Sequence, residues 1–132
     1  MTGPPVVDIA DETYIRVTPG ALAAVVADPR SWRRWWPDLQ PVVAKSRGPK
    51  GQQWQVTGSL QGTMEVWLEA LGGGTVVHWY LRADPRAATS ARRRRRDRER
   101  RVVAWKAHMF ELKDRVEAVA GLKDPARPAE SI

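Results

Sequence analysis

The sequence predicts an α+β fold in which a long C-terminal helix lies across the apolar face of an antiparallel sheet. Three observations lead to this prediction. Apolar and polar residues alternate between residues 42 and 83, with short glycine-rich interruptions that are typical of antiparallel hairpins. No helix breaker follows Pro85 until Gly121, and an apolar stripe runs along the second half of that stretch. Two short helical segments lie between the first strand and the hairpins.

The composition indicates one small domain. The chain has 132 residues, of which 42% are apolar, enough for a single buried core. It has no apolar run of about eighteen residues and no signal-peptide pattern at its start, so we expect a soluble, cytoplasmic protein. Cysteine is absent and histidine occurs only twice, so we predict no disulfide, no metal site and no cofactor.

One strand and two short helices are predicted before the hairpins. The strand spans Asp11–Val17, and the first helix spans Ala21–Ala27. Asp28 and Pro29 separate this helix from a second one, which carries three tryptophans and stops at Pro37 because proline cannot continue a helix.

The middle of the chain predicts four further strands. They are Val42–Ser46, Gln52–Leu60, Thr63–Leu71 and Thr75–Ala83. The segments between them are too short for parallel crossovers, so the strands must pair antiparallel. In the last three strands the apolar side chains fall on alternate positions, which predicts a sheet with one apolar face.

A long helix is predicted from Pro85 to Ala120, with Asp84 as its N-cap. Its apolar stripe consists of Val102, Trp105, Met109, Leu112, Val116 and Val119. Such a helix would be about 54 Å long, whereas a domain of this size is about 36 Å across. The first part must therefore overhang the body, or the helix must start later, where Ser90 offers a second cap.

These elements divide the chain into three parts. Residues 1–8 are predicted to be an N-terminal extension, residues 9–121 the folded domain, and residues 122–132 a disordered tail. Within the domain, the arginine-rich segment 86–101 is predicted to be exposed at the start of the long helix.

Two segments resemble a known family. The stretch ALAAVVADPRSWRRWWPDL, from Ala21 to Leu39, resembles the helix pair of the polyketide cyclase/dehydrase branch of the START-like (SRPBCC) superfamily. Thr75 to Leu81 resembles a late strand of the same family. The resemblance implies a helix-grip (START-like) fold over residues 8 to 120, in which a curved antiparallel sheet wraps around the C-terminal helix. It also implies a cavity for a lipid, polyketide or other apolar ligand between the sheet and this helix.

The candidate ligand-binding residues are the apolar side chains predicted to face this cavity. They are Trp54, Val56, Met64, Val66, Leu68, Val77, Trp79 and Leu81 on the strands, and Trp105, Met109 and Leu112 on the helix. Ordinary core packing is the alternative interpretation of the same pattern, because a concave apolar sheet face serves either purpose.

The arginines between residues 92 and 101 carry most of the net charge. The chain has a formal charge of +7, of which this segment contributes +6. The candidate residues for an anionic surface are Arg92, Arg93, Arg94, Arg95, Arg96, Arg98, Arg100 and Arg101. This segment has three interpretations. It is a solvated helix face, or it binds an anionic membrane surface, or it binds RNA or the ribosome.

The sequence offers little support for catalysis. The polar residues near the predicted strands are Tyr14, Arg16, Glu65, His78 and Tyr80. Counting from Trp79, His78 and Tyr80 face away from the apolar side of the sheet, so no acid–base pair converges there. Enzymatic activity stays open, and a cyclase or dehydratase is the type that the resemblance implies.

The predicted function is binding or transport of a hydrophobic small molecule in the cavity between sheet and helix. The first alternative is a basic RNA- or ribosome-associated module on the same fold. The second alternative is an enzyme of the cyclase or dehydratase type that acts on a polyketide-like substrate. The sequence specifies neither the ligand nor the oligomeric state.

Overall fold

A computed structural model describes residues 6–121 of the chain. The elements are β1 (Val7–Ile15), α1 (Pro19–Ala27), α2 (Pro29–Trp35), β2 (Leu39–Ser46), β3 (Gly51–Gly58), β4 (Leu60–Leu71), β5 (Gly74–Pro85) and α3 (Ala91–Val119). The strands form one antiparallel sheet in the order β1-β5-β4-β3-β2. The predicted α+β class and the order of elements are confirmed, and no helix in this part of the chain is long and apolar enough to cross a membrane.

Strand β1 starts earlier than predicted. It pairs with β5 from Val7, opposite Ala83, to Ile15, opposite Thr75. Val7, Ile9 and Ile15 are all buried. Residues 7 and 8 of the predicted extension therefore belong to the sheet, because their alternation places Val7 on its apolar face. Residues 1–5 and the predicted tail 122–132 lie outside the described residues.

The prediction that the long helix starts at Pro85 is wrong. Pro85 is the last residue of β5, opposite Leu60 in β4, and the backbone N–H of Arg86 still donates to the carbonyl of Ser59. These bonds keep the chain extended beyond Asp84. Helix α3 begins at Ala91, where the Ser90 hydroxyl accepts a hydrogen bond from the Arg93 N–H at 3.1 Å. The alternative cap is the one that forms.

Helix α3 packs on the sheet through Trp105, Met109 and Leu112, which are buried as predicted. The last member of the predicted stripe, Val119, is 87% exposed. Glu117 takes the inward position in that turn. Its carboxylate accepts hydrogen bonds from the Arg16 backbone N–H at 2.8 Å and from the Lys113 ammonium at 2.6 Å. A polar anchor to the end of β1 thus replaces the expected apolar contact.

Replacing Glu117 by glutamine should destabilise the protein in a pH-dependent way. Burial by itself raises the pKa of the Glu117 carboxyl, but the hydrogen bonds from Lys113 and Arg16 outweigh it, and the pKa lies below its ordinary value. A lowered pKa means stability that is present above the unfolded-state pKa and lost as the pH falls. We expect Glu117→Gln to cost about 1–2 kcal/mol at pH 7 and to approach the wild type below about pH 4.

Urea denaturation at the two pH values measures this effect. Glu111→Gln is the matched control, because Glu111 is exposed on the same helix and pairs with Arg34 at a distance of 3.5 Å. An exposed pair of this kind contributes about 0–1 kcal/mol. A loss for Glu117→Gln that is equal at both pH values would contradict the assigned role of the carboxylate.

Candidate functional site

Six of the seven tryptophans form one aromatic cluster in the core. The members are Trp32, Trp35, Trp36, Trp54, Trp79 and Trp105. Trp36 lies at the centre: its ring is nearly parallel to that of Trp105, at 5.7 Å and 6°, and it meets Trp54 edge to face at 5.4 Å. Such pairs add about 0.5–1.5 kcal/mol each beyond area burial. The cluster ties α2, the sheet and α3 together.

The local sequence explains why α2 presents two adjacent tryptophans to the core. The Asp28 side chain caps the helix by accepting from the Arg30 N–H at 2.9 Å, and Pro29 occupies the first turn. The helix ends at Trp35, and Pro37 follows the C-cap residue Trp36. Because the backbone leaves the helix at Trp36, the two indoles contact Trp105 in different geometries: the Trp35 ring is at 78° to it, and the Trp36 ring is nearly parallel to it.

A cleft of about 290 Å³ opens at this cluster, between the end of α2, strand β5 and helix α3. Its apolar wall consists of Trp35, Trp36, Pro37, Trp79, Ala104 and Trp105, and its charged rim of Asp38, Asp97, Arg100 and Arg101. We call this feature the tryptophan cleft. An aromatic wall with a few polar groups at one side is the usual composition of a small-molecule site.

Four indole N–H groups in the cluster are buried and find no acceptor within residues 6–121. They belong to Trp36, Trp54, Trp79 and Trp105. By contrast, the indole N–H of Trp32 donates to the Val26 carbonyl at 2.6 Å. An indole nitrogen can only donate, and a buried donor left alone costs about 1–3 kcal/mol. The rings of Trp36, Trp79 and Trp105 also line the tryptophan cleft, but their indole nitrogens are buried and have almost no exposed surface in it.

The rim of the cleft is held by an ion-pair network around Arg101. Its guanidinium binds the Asp38 carboxylate, with one bond of 3.1 Å, and Asp97 at 2.9 Å; Ser59 also donates to Asp38. Burial by itself would raise the pKa of the Asp38 carboxyl, but the bonds from Arg101 and Ser59 lower it below its ordinary value. The rim is therefore charged and internally paired at neutral pH.

The arginine-rich segment divides into paired and unpaired residues. Arg101, predicted to bind an anionic surface, is instead only 12% exposed because Asp38 and Asp97 enclose it. Three others have partners: Arg94 donates to the Thr89 carbonyl, Arg98 to the Asp8 carbonyl, and Arg100 to Asp97. The guanidinium groups of Arg92, Arg93, Arg95 and Arg96 have no partner in the part of the chain that the structure describes.

The predicted ligand-binding residues come together in one core. All eleven, from Trp54 to Leu112, are 3% exposed or less. Of these eleven residues, only Trp79 and Trp105 line the tryptophan cleft. Trp54 and Met64 border a cavity of about 430 Å³, and Leu68 borders another cavity. Outward-facing residues of the sheet also line both of these cavities. Indole rings fill the space between β5 and α3 in which an interior cavity was expected. Direct ligand contact of the other residues stays a prediction.

Part of the cleft wall was not predicted from the sequence. Trp35, Trp36, Ala104 and Asp38 all line the cleft, and none of them is among the predicted ligand-binding residues. The available signal is the adjacent pair Trp35-Trp36 before Pro37, because a helix that ends at a tryptophan pair directs two large rings to the same end of the domain.

His78 is buried, although it faces outward as the alternation predicts. Its ring stacks on Trp67 at 4.4 Å and lies 2.9 Å from Glu69 and 3.3 Å from Glu12, so it is only 5% exposed. The outward face is thus not solvent-exposed at His78, because the Trp67 ring covers the imidazole. Burial, together with the charges of nearby glutamates, raises the pKa of Tyr80. Within residues 6–121, no three His, Asp or Glu side chains are placed to hold a metal ion.

Comparisons with known proteins support the fold. No family model and no curated protein sequence matches the chain. The Aha1 dimer from Colwellia psychrerythraea has a TM-score of 0.57 at 17% identity, covering 82% of this chain and 94% of that one. DR_A0006 from Deinococcus radiodurans has a TM-score of 0.60 at 14% identity, covering 87% and 98%. CalU16 from Micromonospora echinospora has a TM-score of 0.53 at 15% identity, covering 87% of each chain. The chain therefore has the helix-grip, START-like fold.

Proposed function

We propose that this protein binds a flat, apolar small molecule, and that the tryptophan cleft is the binding site. The observation that carries the proposal is the wall of the cleft, to which four tryptophans contribute. They are Trp35, Trp36, Trp79 and Trp105. A flat ring system can pack against such aromatic rings with the stacked or edge-to-face geometry that they favour.

The size and chemistry of the cleft support this ligand class. Its volume of about 290 Å³ lies near the lower end of the range for small-molecule sites. Four of its wall residues are tryptophans, which suits a ring system better than a flexible chain. The paired rim fixes the mouth of the cleft, because Arg101 binds both Asp38, in the turn before β2, and Asp97 on α3.

Binding of prodan, a neutral and flat naphthalene ketone, tests the proposal. Its fluorescence shifts to the blue in an apolar site, so a titration gives a dissociation constant. Ala104 is exposed and lines the cleft on α3, so Ala104→Phe should occlude the site without disturbing the core. We expect this variant to weaken prodan binding by about tenfold or more, the equivalent of roughly 1.4 kcal/mol.

Ala107→Phe is the matched control. Ala107 is also exposed on α3, but it does not line the tryptophan cleft. The same substitution there should leave the dissociation constant unchanged. Equal weakening by both variants, or no effect of Ala104→Phe on a measurable affinity, would contradict the proposed site.

Catalysis is not part of this proposal. The polar residues considered for catalysis do not line the cleft. Instead, Tyr14 donates to the Leu71 carbonyl, and Glu65 pairs with Arg47 at 2.7 Å. Among the rim carboxylates, Asp38 and Asp97 are both bound by Arg101. Cyclase or dehydratase activity, and the binding of RNA or a membrane by the arginine-rich segment, stay predictions.

A further inference from the structure

A second cavity lies directly beside the tryptophan cleft. Its volume is about 560 Å³, and it follows the first turns of α3 next to the connection from β5. Five arginines line it: Arg93, Arg94, Arg96, Arg100 and Arg101. We call this cavity the arginine groove. The tryptophans and the arginines are separate features of the sequence, whereas the structure places them side by side.

The cleft and the groove share part of their walls. Asp38, Asp97, Arg100 and Arg101 line both cavities. Arg101 is bound to both aspartates, and these bonds hold the shared wall in a defined position. A single molecule at this wall can therefore place one part among the tryptophans and another among the arginines.

The arginine groove has an excess of positive charge that the protein does not neutralise. Its five arginines face two aspartates, a net charge of +3. The side chains of Arg93 and Arg96 have no hydrogen-bond or ion-pair partner in the described part of the chain. Both lie near the N-terminus of α3, where the positive end of the helix dipole opposes added cations. An anion bound there would offset this repulsion.

The chemistry of guanidinium specifies the kind of anion. Its planar fork of N–H donors matches the oxygens of phosphate-type groups and can bind two of them at once. Arg93 and Arg96 are three residues apart on one helix, which brings their side chains to the same face. The groove therefore suits a tetrahedral oxyanion more than a neutral polar group.

We propose that the ligand is an amphiphile whose flat apolar body lies in the tryptophan cleft and whose phosphate- or sulfonate-type oxyanion is bound by Arg93 and Arg96 in the arginine groove. This inference rests on the proposed function, since it uses the same cleft, and adds the charge and the polarity of the ligand. It also gives the unpaired Arg93 and Arg96 a role that helix stability does not supply.

Two probes with nearly the same apolar body test the inference. Anilinonaphthalene sulfonate carries an oxyanion, and phenylnaphthylamine is its neutral counterpart. Fluorescence titration at low ionic strength should give a dissociation constant about tenfold lower for the sulfonate on the wild-type protein, as expected for a charge-assisted hydrogen bond. The preference should shrink at high salt, because the groove is open to solvent.

Two double variants with the same change in net charge distinguish binding in the arginine groove from the effect of the overall positive charge of the segment. Arg93→Gln with Arg96→Gln removes the two unpaired arginines that line the groove. Arg92→Gln with Arg95→Gln removes two exposed arginines that do not line it. We expect the first pair to abolish most of the preference for the sulfonate and the second to retain it. Phenylnaphthylamine binding should be the same in both, and circular dichroism checks that α3 is intact.

The outcomes distinguish the two proposals. If both probes bind equally to the wild type, or if both double variants reduce the preference equally, the inference is overturned. If vesicles of phosphatidylglycerol bind the protein and both double variants reduce that binding equally while the probe preference is absent, the arginines serve a membrane surface instead. If neither probe binds, or neither responds to Ala104→Phe, the proposed function itself fails.

Discussion

Trp36→Ala is expected to lower the free energy of unfolding by about 3–5 kcal/mol, the range for truncating a large buried aromatic side chain. Trp36 is 3% exposed and contacts the rings of Trp54, Trp79 and Trp105. Its removal would leave a void between α2, the sheet and α3, which meet at this ring. This loss is a large fraction of the total stability of a small domain, which is about 5–15 kcal/mol.

Guanidinium chloride denaturation, followed by tryptophan fluorescence and circular dichroism, measures the loss. Trp36→Phe is the control. It retains a ring in the stack and removes one buried donor that lacks an acceptor in the described structure, so we expect a smaller cost of about 1–2 kcal/mol. A cost below about 1 kcal/mol for Trp36→Ala would show that this ring is not part of a close-packed core.

Gly51→Ala is the second substitution with a large expected effect. Gly51 begins β3 with a φ of +109°, a conformation that favours glycine, and a Cβ atom there would lie 2.0 Å from the Val66 carbonyl oxygen. This oxygen belongs to the backbone of β4, so the clash can be relieved only by moving one strand from the other. We expect a loss of at least about 3 kcal/mol.

Substitutions at two other glycines distinguish the cost of the steric clash from the cost of the positive φ angle. Gly48 has a φ of +59°, but a Cβ atom added there would meet no atom within 4 Å, so Gly48→Ala should cost about 1–2 kcal/mol. Gly20 has neither constraint and lies in the first turn of α1, so Gly20→Ala should be neutral or stabilising by up to about 1 kcal/mol. Thermal or urea denaturation of the three variants gives the ranking. Equal losses for Gly51→Ala and Gly48→Ala would contradict the close approach of β3 and β4.

Local sequence patterns predicted helices and strands correctly where no long-range hydrogen bond competed with the local preference. Alternation placed Trp54, Val66 and Leu81 on the apolar face of the sheet, where all three are buried. The predicted start of α3 was wrong for the opposite reason. Asp84 followed by Pro85 is a favourable helix start, but the Asp84 carboxylate accepts the Val6 N–H at 2.9 Å, and the backbone continues the pairing with β4. These partners are far away in sequence and outweigh the local preference.

The sequence by itself determined the α+β class, the order of the elements and the inward-facing residues of β3, β4 and β5, because periodicity decides which face of a strand is apolar. It could not decide whether those side chains enclose a cavity or fill it. That depends on how Trp36, Trp79 and Trp105 stack once α2, β5 and α3 have met. The tertiary structure alone placed the arginine groove beside the tryptophan cleft, because residues 36, 79 and 96 become neighbours only through long-range packing.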